Sequence, residues 1–174
     1  MARPEGSVRV VVSDAGPLIH LDELGCLDLL ADFSEVLVPD AVWREVEKHR
    51  PHALKVGGAG LRRVAPPRGI LAPRLRSLVE TMSLHRGEQE ALAVAAEHEA
   101  VLLLTDDAAA RLAAGTMKLE VHGTIGILIR SIRRGLRTKG SVLELLRTIP
   151  GKSTLHLKPA LLEEVLQQVA RDAP

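Results

Sequence analysis

The chain has 174 residues, 46% of them hydrophobic and 26% charged, with a formal net charge of +1. That length supports one domain with a sizeable core, and that charge excludes a global basic field as the means of attracting nucleic acid. Phe33 and Trp43 are the only aromatic residues, so the core must be aliphatic, and the lone Cys26 excludes an internal disulfide and a cysteine-based zinc site. The N-terminal stretch MARPEGSVRVVVSDAG has no apolar signal region. No apolar run approaches the ~20 residues that a membrane span needs. A cytoplasmic protein without a membrane segment is expected.

In chain order, residues 8–12 (VRVVV) are β-branched and predict a strand that runs into Ser13-Asp14. Gly16-Pro17 breaks it. Leu18, Ile19, Leu21 and Leu24 at helical spacing predict a helix, with Gly25 as its C-terminal cap. Residues 26–30 predict a further apolar helical turn. Residues 36–38 predict a second strand stopped by Pro39, with Asp40 as N-cap of a helix over 41–49. From Arg50 to Pro73, glycines, prolines and basic residues break every period, which predicts a connection with a short strand at 61–64. Residues 74–82 predict a helix.

The stretch from Gly87 to Asp107 organises the rest. Ala-rich residues 88–98, with Glu88 in the first turn, predict a helix. VLLL (101–104), closed by Thr105-Asp106-Asp107, predicts a buried parallel strand. Eleven helical residues rise ~16 Å, and six extended residues return ~20 Å. A strand packed back along its helix therefore brings Glu88 and Asp106/Asp107 to one edge of the sheet. Beyond it, residues 108–114 predict a helix ended by Gly115, and 119–121 a short strand. Residues 124–135 predict an amphipathic helix with Arg130, Arg133 and Arg134 on its outer side. Residues 141–147 and 159–170 predict two more helices. Strands alternating with helices, without hairpin signals, predict an α/β sandwich with a parallel sheet. The expected organisation is one domain over 1–174, with 8–140 as its core and 141–174 as a C-terminal helical extension.

In such sheets ligands bind beyond the carboxyl ends of the strands. Asp14, Asp106 and Asp107 follow strands directly, Glu45 lies in the helix after the second strand, and Glu88 opens the helix before VLLL. Clustered carboxylates repel unless a cation sits among them, and a hard divalent ion such as Mg²⁺ or Mn²⁺ relieves that cost. Each acid also has a structural explanation. Glu45 and Glu47 fit a solvated helix face, Glu88 and Glu90 fit a helix first turn, and one of the aspartates 106 and 107 fits an N-cap.

The segments SDAGPLIHL, VPDAVWREV, LHRGEQEALAVAAEHEAVLLLTDDAAAR and VHGTIGIL, in this order, resemble the PIN-domain nucleases, especially the prokaryotic branch related to VapC-type toxins. The resemblance spans about residues 8–168. It implies a Rossmann-like α/β/α sandwich with a central, mostly parallel sheet and extra C-terminal helices. It also implies an Mg²⁺- or Mn²⁺-dependent endoribonuclease. By position, its catalytic acids are Asp14, Glu45, Glu88 and Asp107, and its metal ligands Asp14, Glu88, Asp107 and Asp106, with Thr105 and Thr124 as polar supports beside them. The third acid is Glu rather than the Asp of typical toxins. A homodimer, and a small antitoxin protein that blocks the acids, are implied in the same way.

An RNA substrate must be held by its phosphates. Arg62, Arg63, Arg68, Arg74 and Arg76 form one basic group, and Arg130, Arg133, Arg134, Arg137 and Lys139 another; an ordinary solvated basic face explains both equally well. With almost no aromatic residues, stacking of bases on protein rings cannot be the main mode. The competing readings are a catalytically silent PIN-like module that binds RNA or protein, and a response-regulator-type phosphoryl-transfer protein. The latter lacks a convincing phosphoacceptor Asp and a partner Lys.

Overall fold

The computed structural model describes residues 10–55, 60–68, 73–98, 100 and 102–171. Residues 8, 9 and 101 of the predicted strands and the side chain of Arg74 lie outside the described residues. Five short strands, β1 (Val11–Ser13), β2 (Val36–Pro39), β3 (Leu61–Val64), β4 (Leu102–Leu104) and β5 (Glu120–His122), form one sheet in the order β3-β2-β1-β4-β5. Every pairing is parallel. The helices are α1 (Ala15–Glu23), α2 (Asp40–His49), α3 (Pro73–Met82), α4 (Arg86–Glu97), α5 (Ala108–Thr116), α6 (Thr124–Arg133), α7 (Lys139–Lys152) and α8 (Pro159–Arg171).

The two-residue alternation of the strands divides the core into layers. Val11, Val36, Val38, Leu102 and Leu104 pack with Leu18 and Leu21 of α1, Ile127 and Leu128 of α6, and Val142, Leu146 and Ile149 of α7. Val12, Leu37 and Leu103 face the other way, against Leu92 and Val94 of α4 and Ala113 of α5. This is the α/β/α sandwich that the alternation predicts. Val142, Leu146 and Ile149 form the buried face of α7 in the first layer.

Several boundaries differ for physical reasons. Pro17 does not delay α1 but sits in its first turn, where its missing N–H leaves no donor wanting. Asp40 is not the N-cap of α2. Pro39 holds that position without a side-chain bond, and the carboxylate of Glu90 accepts instead from the N–H of Ala41 (2.7 Å). α5 runs through Gly115 to Thr116. α7 extends past Arg147 through Pro150 to Lys152, carried by the burial of Ile149. Gly25 has φ +68°, the left-handed conformation in which glycine ends a helix without strain.

Candidate active site

The sheet order sets the place of the site. From β1 the chain moves outward through β2 to β3, then returns to the other side of β1 as β4. The crevice at the carboxyl ends of β1 and β4 is thus the point where the winding reverses, the usual ligand position in such a sheet. The two strand ends are tied together: the N–H of Asp14 donates to the carbonyl of Leu104 (2.8 Å), and the Thr105 N–H donates to the His122 carbonyl (3.0 Å).

Asp14 lies at the centre, 7% exposed. It is the N-cap of α1: Oδ1 accepts from the Ala15 N–H (2.8 Å), and Oδ2 accepts from the Thr105 hydroxyl (3.0 Å). Burial pushes its carboxyl from 3.8 up to about 6, and the negative charges of Glu88 and Glu45 add to the rise against those two hydrogen bonds. Among the described residues no cation forms an ion pair with Asp14 or Glu45. The absence of a side chain at Gly87 allows this convergence. A Cβ there would lie 3.4 Å from Glu45 Oε2 and 3.6 Å from Asp14 Oδ1.

Glu88 is held within α4. One oxygen accepts from the His85 N–H (2.7 Å), and His85 Nδ1 lies 3.4 Å from the other. Asp106 is fully engaged: Oδ1 accepts from the Thr124 N–H (2.7 Å), and Oδ2 accepts from the Thr124 hydroxyl (2.6 Å) and from His20 Nδ1 (2.8 Å). It thereby satisfies the start of α6. Asp107 caps α5 through Oδ1, which accepts from the Ala110 N–H (2.7 Å), and its own N–H donates to the Thr105 hydroxyl (3.2 Å). Its Oδ2 has no hydrogen-bond partner among the described residues. Glu45 and Glu88 therefore stand within electrostatic reach of Asp14, while Asp106 accepts three hydrogen bonds and Asp107 one.

Among the described residues no group of three or more His, Cys, Asp or Glu side chains closes around a single point. The acids are near enough to raise the pKa of Asp14, yet not drawn together as a finished set of ligands. Hard carboxylate oxygens, negative charge without a cationic partner, and an exposed Glu45 free to swing suit Mg²⁺ or Mn²⁺ that keeps some of its water.

The arginines expected at RNA lie elsewhere in the charge plan. Arg62 makes two bonds to Glu35 (2.6 and 3.2 Å), and Arg63 bonds Asp40 (2.5 Å) and lies over the ring of Trp43. Arg130 and Arg134 both bond Asp32, the former over the Phe33 ring, and Arg137 bonds Asp28. Arg133 has no ion pair among the described residues. α6 starts at the acidic edge and runs away from it, so residues 130–134 lie about 9–15 Å down its axis. Of these six, only Arg63, through Asp40 at the start of α2, stands near the carboxyl ends of the strands.

Sequence reasoning missed the partner of His20 and the roles of Glu90 and Gly123. His20 lies in the segment SDAGPLIHL, which suggests packing or a support beside the site, but nothing local pairs it with Asp106, 86 positions away. Glu90 has the look of a first-turn acid of its own helix but serves the N-terminus of α2. Gly123 had a signal in the HGT triplet, since a Cβ there would lie 2.5 Å from Asp106 Oδ1.

Comparison with known proteins adds one finding. A family model described as a PIN domain matches residues 10–171. No curated protein matches the chain. PIN domains are in general nucleases that use divalent metals, which accords with carboxylates gathered at the switch point of a parallel sheet. Over nearly its whole length, from β1 to the end of α8, the chain belongs to the PIN-domain family.

Proposed function

We propose that the chain is a metal-dependent endoribonuclease that hydrolyses RNA phosphodiester bonds at the carboxylate edge between β1 and β4. The observation that carries this reading is Asp14, a buried carboxyl that feels the negative charges of Glu45 and Glu88, with no cation paired to it among the described residues. Asp14, Glu45, Glu88 and Asp107 would hold Mg²⁺ or Mn²⁺, and Asp106 is the weaker candidate because its oxygens accept three hydrogen bonds against the two of Asp14. When bound, such an ion supplies polarisation of the phosphodiester and a more acidic water. The chain's own residues supply position. The Ala15 N–H and the Thr105 hydroxyl fix both oxygens of Asp14, and the His85 N–H fixes Glu88. The exposed Glu45 can orient the attacking water from the solvent side. The resemblance to VapC-type toxins extends the proposal to the toxin of a toxin–antitoxin pair, a homodimer with a small antitoxin protein as partner.

The three hydrogen bonds that hold Asp106 favour a second reading, a catalytically silent PIN-like module that binds RNA or protein. Incubating the protein with total RNA and Mg²⁺ or Mn²⁺ separates the two. The wild type should cut, and Asp14→Asn and Glu88→Gln should each slow cutting by about a hundredfold or more. Calorimetric titration with Mn²⁺ should show binding that Asp14→Asn weakens. Equal cutting by all three proteins would mean another site, and no cutting by any would favour the silent module.

A further inference from the structure

Beside Asp106 lies a cavity of about 410 Å³ that hydrolysis at the carboxylates leaves unused. It is within the size range of small-ligand sites, roughly 300–1,000 Å³. One wall comes from α6, with Ile125 and Ile129, and the facing wall from α8, with Leu161 and Val165. Leu161 is 46% exposed, so α8 presents an apolar face that the described chain does not cover. The polar side chains of the lining include Arg111, His122 and His156. Asp106, the carboxylate of this lining, already accepts from Thr124 and His20. Arg111 spends a single N–H on the Thr105 carbonyl (3.3 Å) and keeps the rest of its guanidinium. Asp106 belongs both to this lining and to the acidic edge, and Gly123 packs closely against it. A Cβ there would lie 3.2 Å from Arg111 Nη1 as well as against Asp106.

Two aliphatic walls, a cation at the mouth and continuity with the acidic edge describe the needs of one chemical unit. A nucleobase has two apolar faces, and the phosphate attached to it is an anion that suits a guanidinium. We propose that this cavity holds one nucleotide of the substrate strand, adjacent to the phosphate at the carboxylates. The base lies between Ile125/Ile129 and Leu161/Val165, and its phosphate lies on Arg111. The proposal rests on the nuclease reading for its substrate, and it gives a chain poor in aromatic residues a way to hold a base without stacking on rings.

The test uses the full chain with methyl-labelled isoleucine and leucine in EDTA, titrated with adenosine and uridine 5′-monophosphates, ribose 5-phosphate and inorganic phosphate. The nucleotides should shift the methyl signals of Ile125 and Ile129, and ribose 5-phosphate should bind at least about tenfold more weakly. Arg111→Ala should weaken nucleotide binding about tenfold, the loss of one charge-assisted contact. Leu161→Trp, which fills the cavity from an exposed position, should abolish it. Asp14→Asn should bind mononucleotide as the wild type does. If nucleotides and ribose 5-phosphate act alike, or Leu161→Trp changes nothing, the proposal is overturned. RNA cutting with the same cut sites in wild type and Leu161→Trp would also overturn it and leave the nuclease standing. Mononucleotide binding at Ile125 and Ile129 without any cutting of RNA would uphold the cavity and sink the nuclease.

Discussion

At the residue scale, Asp14 links stability to pH. Burial, reinforced by Glu88 and Glu45, raises its folded pKa from 3.8 to about 6. Between those values the folded state holds a proton that the unfolded state has released, so stability is full below about pH 4 and declines as pH rises through 6. The loss amounts to about 2–3 kcal/mol for a shift of this size. Asp14→Asn removes the charge and keeps an oxygen for the Ala15 N–H. In EDTA at pH 7.5 it should therefore raise the thermal midpoint, with the gain vanishing near pH 4. Adding Mn²⁺ should then raise the midpoint of the wild type and not that of the variant. An equal loss of stability in the variant at both pH values would refute the account. Glu88 separates its two roles differently. Glu88→Gln keeps an acceptor for the His85 N–H and should keep stability, while Glu88→Ala should cost about 1 kcal/mol in urea denaturation. That acids stand at strand ends is legible from the sequence alone. Which oxygen is free is not, because the partners of Asp106 lie 18 and 86 positions away.

At the scale of elements, two glycines of similar local sequence context should respond in opposite senses. Gly115 lies in α5 with nothing within 4 Å of an added Cβ, and Gly115→Ala should stabilise by about 0.5–1 kcal/mol through helix propensity. Gly123 precedes α6 where a Cβ would strike Asp106 and approach the Thr105 carbonyl at 3.3 Å. Gly123→Ala must push Asp106 off the first turn of α6 and should cost about 1–3 kcal/mol. Urea denaturation of both variants checks the pair; a neutral Gly123→Ala would mean that the β4–α5 turn yields without strain. The same contrast explains which boundaries the sequence conceals. Propensity places α5's end at Gly115 and α7's end before Pro150, yet both helices run on. The burial of Ala113, Ala114 and Ile149 outweighs one glycine or one proline near a helix end. The N-terminus of α2 is hidden for another reason: its acceptor, Glu90, comes from α4, 49 positions later.

At the scale of the whole molecule, parallel pairing follows from short apolar strands separated by helices, and the existence of an acidic edge follows from that pairing. The balance of charge does not follow, since ion pairs such as Arg130–Asp32 and Arg137–Asp28 join residues about a hundred positions apart. Arg130 and Arg134 share Asp32, whose side chain is 7% exposed, so they neutralise a buried acid before they can serve any nucleic acid. Removing one leaves the other in place. Arg130→Ala or Arg134→Ala alone should cost about 1 kcal/mol, and the double variant more than the sum, because it strands Asp32 without a cation. RNA binding gives the complementary measurement. Each phosphate neutralised on a single strand adds about −0.7 to the slope of log K against log salt. Binding should therefore weaken with salt, and Arg130→Ala and Arg134→Ala should leave the slope unchanged. Arg111→Ala, at the mouth of the cavity, should flatten it by about 0.7. A flatter slope in the Arg130 and Arg134 variants would show instead that RNA competes with Asp32 for these arginines. The α6 end would then be part of the binding face despite its distance from the acids.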